Sequence, residues 1–270
     1  MGTFRQFELA SWENPATCAG YQDRLGAVVV QAVEPLLDAA GVTGPSRVLD
    51  VATGGGVVAG AATRRGAAAL GVDFSTEQLR RARAAHPLVA FARADAGALP
   101  LTACSVDVVV GNFGVPHFPD PEAFFRESAR VLRPAGQLAF TVWAPPARSP
   151  AFAAVLGAVA QHGTLDVGLP AGPDFFRYAD PDTATHDLTA AGFTDVTVTL
   201  VAQVWKLRTA DEAVDALLHG TVRTAALLAR QPAGVLDQVR RVAREQLAAY
   251  DEGGALRVPM PAVVVRATRP

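Results

Sequence analysis

The chain has 270 residues, half of them hydrophobic, with 24 glycines, 19 prolines and a formal net charge of −2. That near-neutral balance lacks the basic stripe of a nucleic-acid binder, and no run approaches the ~18 uninterrupted apolar residues of a membrane-spanning helix. The length suits one sizeable α/β domain with additional helices.

The opening residues Met1-Gly-Thr-Phe-Arg-Gln-Phe-Glu8 lack the sustained apolar core of a secretory signal, so a cytoplasmic location is expected. Phe4, Phe7, Trp12 and Tyr21 follow at helical spacing, either as core anchors or as a cover over a ligand. Cys18 and Cys104 are isolated thiols, which in a cytosolic protein more often act as small buried hydrophobes than as a pair. The five histidines and two cysteines show no metal-ligand spacing, and no metal is expected.

A helix is expected over 21–40, closed by Gly41, and then the informative stretch begins. Val48, Leu49 and Val51 form a short apolar run suited to a parallel strand covered on both faces. Thr53-Gly-Gly-Gly56 then lets backbone approach a ligand at the start of a helix. Asp50 stands at the carboxyl end of the run, which is the ligand-binding edge of an open α/β sheet. Spacing alone leaves two cofactor classes open, because Gly54-x-Gly56-x-x-Ala59 also satisfies the dinucleotide fingerprint. Asp50 tilts the choice. A carboxylate opposes a pyrophosphate at a helix N-terminus, whereas it attracts a ligand bearing an ammonium and a sulfonium.

The next apolar run, 67–72, ends in Asp73, placed to accept hydrogen bonds from ribose hydroxyls. Phe74 follows it, suited to an adenine face or to the core, and Ser75 caps a helix over 76–85. A third strand over 89–94 leads into Asp95-Ala96, and a fourth over 106–111 leads into Asn112-Phe113. Phe124 to Gly136 reads as a helix stopped by proline and glycine, before a fifth strand over 137–143. This βαβαβ order predicts a Rossmann-like, doubly wound, mostly parallel sheet of seven strands. Beyond Pro145 we expect helices over 151–162 and 181–191, strands over 196–204 and 258–266, and about two helices over 211–250, divided at Pro232-Ala-Gly234.

Together, Asp50-x-Ala52-x-Gly54-x-Gly56, Asp73, Phe91-Ala-Arg-Ala-Asp95-Ala96 and the Leu132-Arg-Pro-Ala-Gly136 run resemble class I S-adenosylmethionine (SAM) methyltransferases of the ubiquinone/menaquinone-biosynthesis type, over roughly residues 20–145. Ala52 departs from that pattern, where the family usually has its first glycine. The resemblance implies a SAM site built from Tyr21, Asp50, Ala52, Thr53, Gly54, Gly56, Asp73, Phe74, Asp95, Ala96, Asn112 and Phe113, with S-adenosylhomocysteine as product. Tyr21 could then reach the methionine carboxylate, and Asp95 with the Ala96 N–H could read the adenine edge. His117, in the loop after the fourth strand, is the candidate general base, with loop ordering as its other role. Trp143 is the candidate wall of the acceptor pocket.

The expected activity is methyl transfer to a small-molecule acceptor, such as a natural-product intermediate. Two alternatives are a SAM-binding cyclase that leaves SAM intact and an NAD(P)-binding oxidoreductase. The latter is disfavoured by Asp50, by Asp95-Ala96 and by a single lysine, Lys206, outside any Tyr-x-x-x-Lys pair. The whole of 1–270 is expected as a single domain, its core over 20–145 and 180–270. Segments 1–25, 150–178 and 208–252 are expected as lid elements, with a stabilising flap or a homodimer surface as their alternative use.

Overall fold

The computed structural model describes residues 2–270, which fall into two compact units. One comprises residues 29–143, 172–201 and 262–270, and the other the described residues up to 28 with residues 144–171 and 202–261.

The first unit is built on a seven-stranded sheet. Its strands are β1 (Arg47–Val51), β2 (Ala68–Asp73), β3 (Ala90–Arg93), β4 (Val106–Asn112), β5 (Leu132–Trp143), β6 (Thr194–Val201) and, last in the chain, β9 (Ala262–Thr268). Their order is β3-β2-β1-β4-β5-β9-β6, parallel from β3 to β5, with β9 antiparallel to both of its neighbours. This is the Rossmann-like sheet the alternation of elements predicts. The chain leaves β1 towards β2 and β3 and then returns to β4 on the other side, so the loops after β1 and β4 diverge.

Both faces of β1 are covered, as its unbroken apolar run requires. Val48, Val108, Val110 and Ala139 pack with Leu36 and Leu37 of the helix Val33–Ala39 and with Val58, Ala61 and Ala62 of the helix Val57–Arg64. On β5, the alternate residue Phe140 stacks on Phe125 of the helix Pro121–Val131 at 5.6 Å, with Tyr178 edge-on to both rings.

The second unit holds a two-stranded antiparallel ribbon, β7 (Val204–Leu207) with β8 (Leu256–Pro259), and the helices Phe4–Trp12, Pro150–His162, Ala210–Gly220, Arg223–Ala229 and Val235–Leu247, with most of Pro15–Val29. The expected lid segments contribute to this unit except for residues 172–178.

Several boundaries differ from the sequence reading. The expected helix over 21–40 is two helices, Pro15–Val29 and Val33–Ala39, joined by a 3-10 turn. The run 258–266 is split between β8 and β9, because Pro259 and Pro261 flank Met260 and remove ladder donors. The run 196–204 likewise divides into β6 and the start of β7, and three helices replace the two expected over 211–250.

The aromatic packing under β5 sets a stability expectation. Phe140 is fully buried, so Phe140→Ala should cost about 3–5 kcal/mol, the usual range for deleting a buried ring, measured by urea denaturation.

Candidate cofactor and acceptor site

The carboxyl edge of the parallel strands gathers most of the sequence-predicted residues within the first unit. β1 delivers Asp50 beneath the helix Val57–Arg64, on the same strand face as Val48. Asp50 is 1% exposed, and its Oδ2 accepts from the Thr53 hydroxyl at 2.6 Å and from the Ala59 N–H at 3.0 Å. Its other oxygen, Oδ1, is buried with no protein partner. Burial pushes the Asp50 carboxyl up to about 7 and the neighbouring Asp73 charge adds to the rise, against the lowering by its two hydrogen bonds.

β2 ends at Asp73, whose two oxygens organise the loops around it. Oδ2 accepts from the Gly54 N–H and Oδ1 from the Ser75 N–H, both at 2.9 Å. The Thr53 N–H donates to the Val72 carbonyl at 3.0 Å, which stitches the glycine turn to β2. Ala52, Gly54 and Gly56 all have positive φ, 54°, 53° and 81°. No atom lies within 4 Å of where a Cβ on Gly54 or Gly55 would stand, whereas one on Gly56 would lie 2.8 Å from the ring of Phe91. The turn is therefore packed at its third glycine and open at its first two.

The following loops continue that edge. The Arg93 guanidinium donates to the Phe74 carbonyl at 2.9 Å, and Phe74 is half-buried. Asp95 closes a tight turn by accepting from the Gly97 N–H at 2.9 Å, with Ala96 inside it. After β4, Phe113 takes φ 57° and stacks on Trp143 with ring centroids 4.0 Å apart. The Phe113 N–H donates to the Thr141 hydroxyl at 2.9 Å, and that hydroxyl donates to Asn112 Oδ1 at 2.6 Å. His117 ends a 3-10 turn over Val115–His117 and lies edge-on to Phe175 at 5.9 Å.

Tyr21 belongs to the other unit, where its ring meets Trp12 edge-on at 5.4 Å. Trp143 and Phe113 are 5% and 4% exposed, so the stack they form is closed. Sequence reasoning missed Thr141, which the period of two along β5 places on the same face as Trp143, and Phe175, which a loop carries without any local signal. Among the described residues, no group of three or more His, Cys, Asp or Glu side chains is placed to hold a metal ion, and no helix is long and apolar enough to cross a membrane.

Residues 49–140 match the family model described as a methyltransferase domain. An uncharacterized methyltransferase from Mycobacterium sp. (strain KMS) is 38% identical over 105 residues, covering 38% of this chain and 42% of that protein. The demethylmenaquinone methyltransferase of Renibacterium salmoninarum is 32% identical over 115 residues, covering 43% of this chain and 48% of that protein. These alignments span less than half the length of the curated relatives. Among solved structures, phosphoethanolamine N-methyltransferase 2 of Haemonchus contortus, in complex with S-adenosyl-L-methionine, shares the fold with a TM-score of 0.60 at 20% identity, over 100% of this chain and 60% of that one.

The raised Asp50 carboxyl links stability to pH. Its folded value of about 7 lies above the ordinary 3.8, so the ligand-free folded state holds a proton that the unfolded chain releases. Stability from this group is complete below about pH 4 and is lost as pH rises towards 7. The Tm of Asp50→Asn minus that of the wild type should therefore climb between pH 4 and 7 in scanning calorimetry. A flat difference would mean that Asp50 is ionised throughout that window.

Proposed function

We propose that this chain is a class I SAM-dependent methyltransferase of the ubiquinone/menaquinone-biosynthesis type, acting on a small-molecule acceptor such as a natural-product intermediate. The observation that carries the reading is the pair of buried carboxylates, Asp50 and Asp73, set beside a glycine turn open at Gly54 and Gly55, with Asp50 Oδ1 lacking a protein partner. Two neighbouring buried acids repel each other and favour a cation, and SAM carries an ammonium and a sulfonium. A pyrophosphate would add negative charge to the same place.

S-adenosylmethionine is the cofactor of this reading and supplies an electrophilic methyl group, leaving S-adenosylhomocysteine. The residues present fit it. Asp73 accepts from the ribose hydroxyls while still holding the Gly54 and Ser75 N–H groups. Phe74 offers its ring to the adenine, and the Asp95-Ala96 turn reads the adenine edge. Asp50, Ala52, Thr53, Gly54 and Gly56 form the turn beside the amino-acid half, with Asn112 and Phe113 across from it.

The protein's contribution to rate is alignment of acceptor and methyl carbon, an effect that reaches ~7–11 kcal/mol in well-oriented intramolecular analogues. His117 is the proposed base for an oxygen or nitrogen acceptor, since an imidazole can take a proton near neutral pH. Trp143 acts through Phe113, whose ring it holds.

Incubating the protein with methyl-deuterated SAM and a pool of small-molecule extracts should give a labelled product and an equal amount of S-adenosylhomocysteine by mass spectrometry. Consumption of a substrate to an unlabelled isomer with SAM intact would overturn methyl transfer. Asp73→Ala should weaken SAM binding by roughly 1.5–3 kcal/mol, as expected for lost charged hydrogen bonds, and calorimetry showing unchanged affinity would displace the proposed site. His117→Ala should slow turnover at unchanged SAM affinity; a matched loss of affinity would instead assign His117 to the cofactor.

A further inference from the structure

Ala52 occupies a backbone position that favours glycine, at φ 54°, immediately after β1. Across from it lies Gly114, in the loop after β4. A Cβ on Gly114 would stand 2.5 Å from the Cβ of Ala52, and 3.7 Å from the carbonyl oxygen of Val51. Real side chains do not approach to 2.5 Å. The methyl of Ala52 is therefore accommodated only because position 114 has no side chain.

Each member of this contact leads directly into one half of the proposed site. Ala52 precedes Thr53, whose hydroxyl bonds Asp50 and whose N–H bonds the Val72 carbonyl, and through it the glycine turn. The Gly114 carbonyl accepts from the His117 N–H at 3.0 Å, closing the turn that carries the imidazole. Gly114 is buried, and its preceding residue Phe113 is fixed by the Thr141 hydroxyl and by the stack on Trp143. Neither loop has slack with which to yield.

We propose that Ala52 and Gly114 are a size-matched pair of positioning residues that sets the spacing between the glycine turn and the His117 turn. The inference rests on the SAM reading above for its functional meaning, but the contact itself is a property of the fold. The pair admits one methyl group: Ala with Gly, or Gly with Ala, and not two.

The test is a double-mutant cycle in the full chain, with Gly114→Ala, Ala52→Gly and the combination, read by SAM calorimetry at 15 °C and by thermal melting. Gly114→Ala should weaken SAM binding at least tenfold at a temperature where it remains folded, and should lower the Tm. Ala52→Gly is the other single arm of the cycle, and its Tm and SAM affinity set the reference against which the combination is read. The double variant should recover most of the lost affinity and most of the lost Tm, because one methyl has been moved across the contact.

Non-additivity of this kind is expected for groups in contact or coupled through one backbone shift, and not for distant, independent sites. A double variant as impaired as Gly114→Ala would overturn the pairing. A lowered Tm with unchanged SAM affinity in Gly114→Ala would show a purely structural contact and overturn the positioning role. Should the wild type itself fail to bind SAM, the functional reading falls and the positioning role with it, while the Tm cycle alone still decides whether the two residues are size-matched.

Discussion

The reversal of strand order at β1 is the constraint on which the site depends. Because β2 and β4 both pair with β1 in parallel, three successive carboxyl ends sit side by side, and the chain must leave β1 and β4 in opposite directions. The crevice between those departures is a consequence of topology before any side chain is chosen. Side chains then determine what it can hold. Here the carboxyl ends bring Asp50, Asp73 and Asn112 to one edge, and no lysine or arginine bonds Asp50 or is among the groups that shift it.

The placement of Asp50 leaves one carboxylate half satisfied by the fold. Its Oδ2 satisfies the Ala59 N–H in the first turn of the helix Val57–Arg64 and the Thr53 hydroxyl, so it holds the glycine turn onto the helix it opens. The remaining oxygen is buried without a partner, a state that is costly in an ionised group. The raised proton affinity of Asp50 is the physical response to that cost. Asp73 has no such conflict, since each of its oxygens meets a backbone N–H. Two acids at adjacent strand ends thus meet different surroundings, one with a backbone donor at each oxygen and the other with one buried oxygen unpartnered.

What was legible in the sequence follows from which signals are local. β1 declared itself because Val48, Leu49 and Val51 are buried from both sides, and the spacing from Gly56 to Asp73 followed from one helix and one strand of ordinary length. The Ser75 cap was also visible, and its hydroxyl does accept from the Gln78 N–H. Non-local partnerships were not visible. Thr141 joins Asn112 and Phe113 across β4 and β5, and Phe175 meets His117 from a distant loop, and neither contact leaves a trace in nearby residues. The β7–β8 ribbon was lost because four-residue strands carry too little periodicity to separate from the longer runs beside them. The start of the helix at Pro15 was overlooked although Asn14 accepts from the Ala16 N–H at 2.9 Å and proline suits a first helical position.

Strain gives the site its remaining character. Ala52 and Phe113, at the ends of β1 and β4, both take left-handed backbone conformations that cost an ordinary residue roughly 1–2 kcal/mol. Such conformations persist only where the surroundings over-determine them. For Phe113 the surroundings are the Thr141 hydroxyl at its N–H and the Trp143 ring against its own. For Ala52 they are the hydrogen bonds of Thr53 on one side and the backbone approach of Gly114 on the other. Folding has therefore already fixed both loops at the carboxyl edge of the sheet. The two left-handed residues are thus held by contacts of the fold itself, and they set the course of the backbone where it leaves β1 and β4.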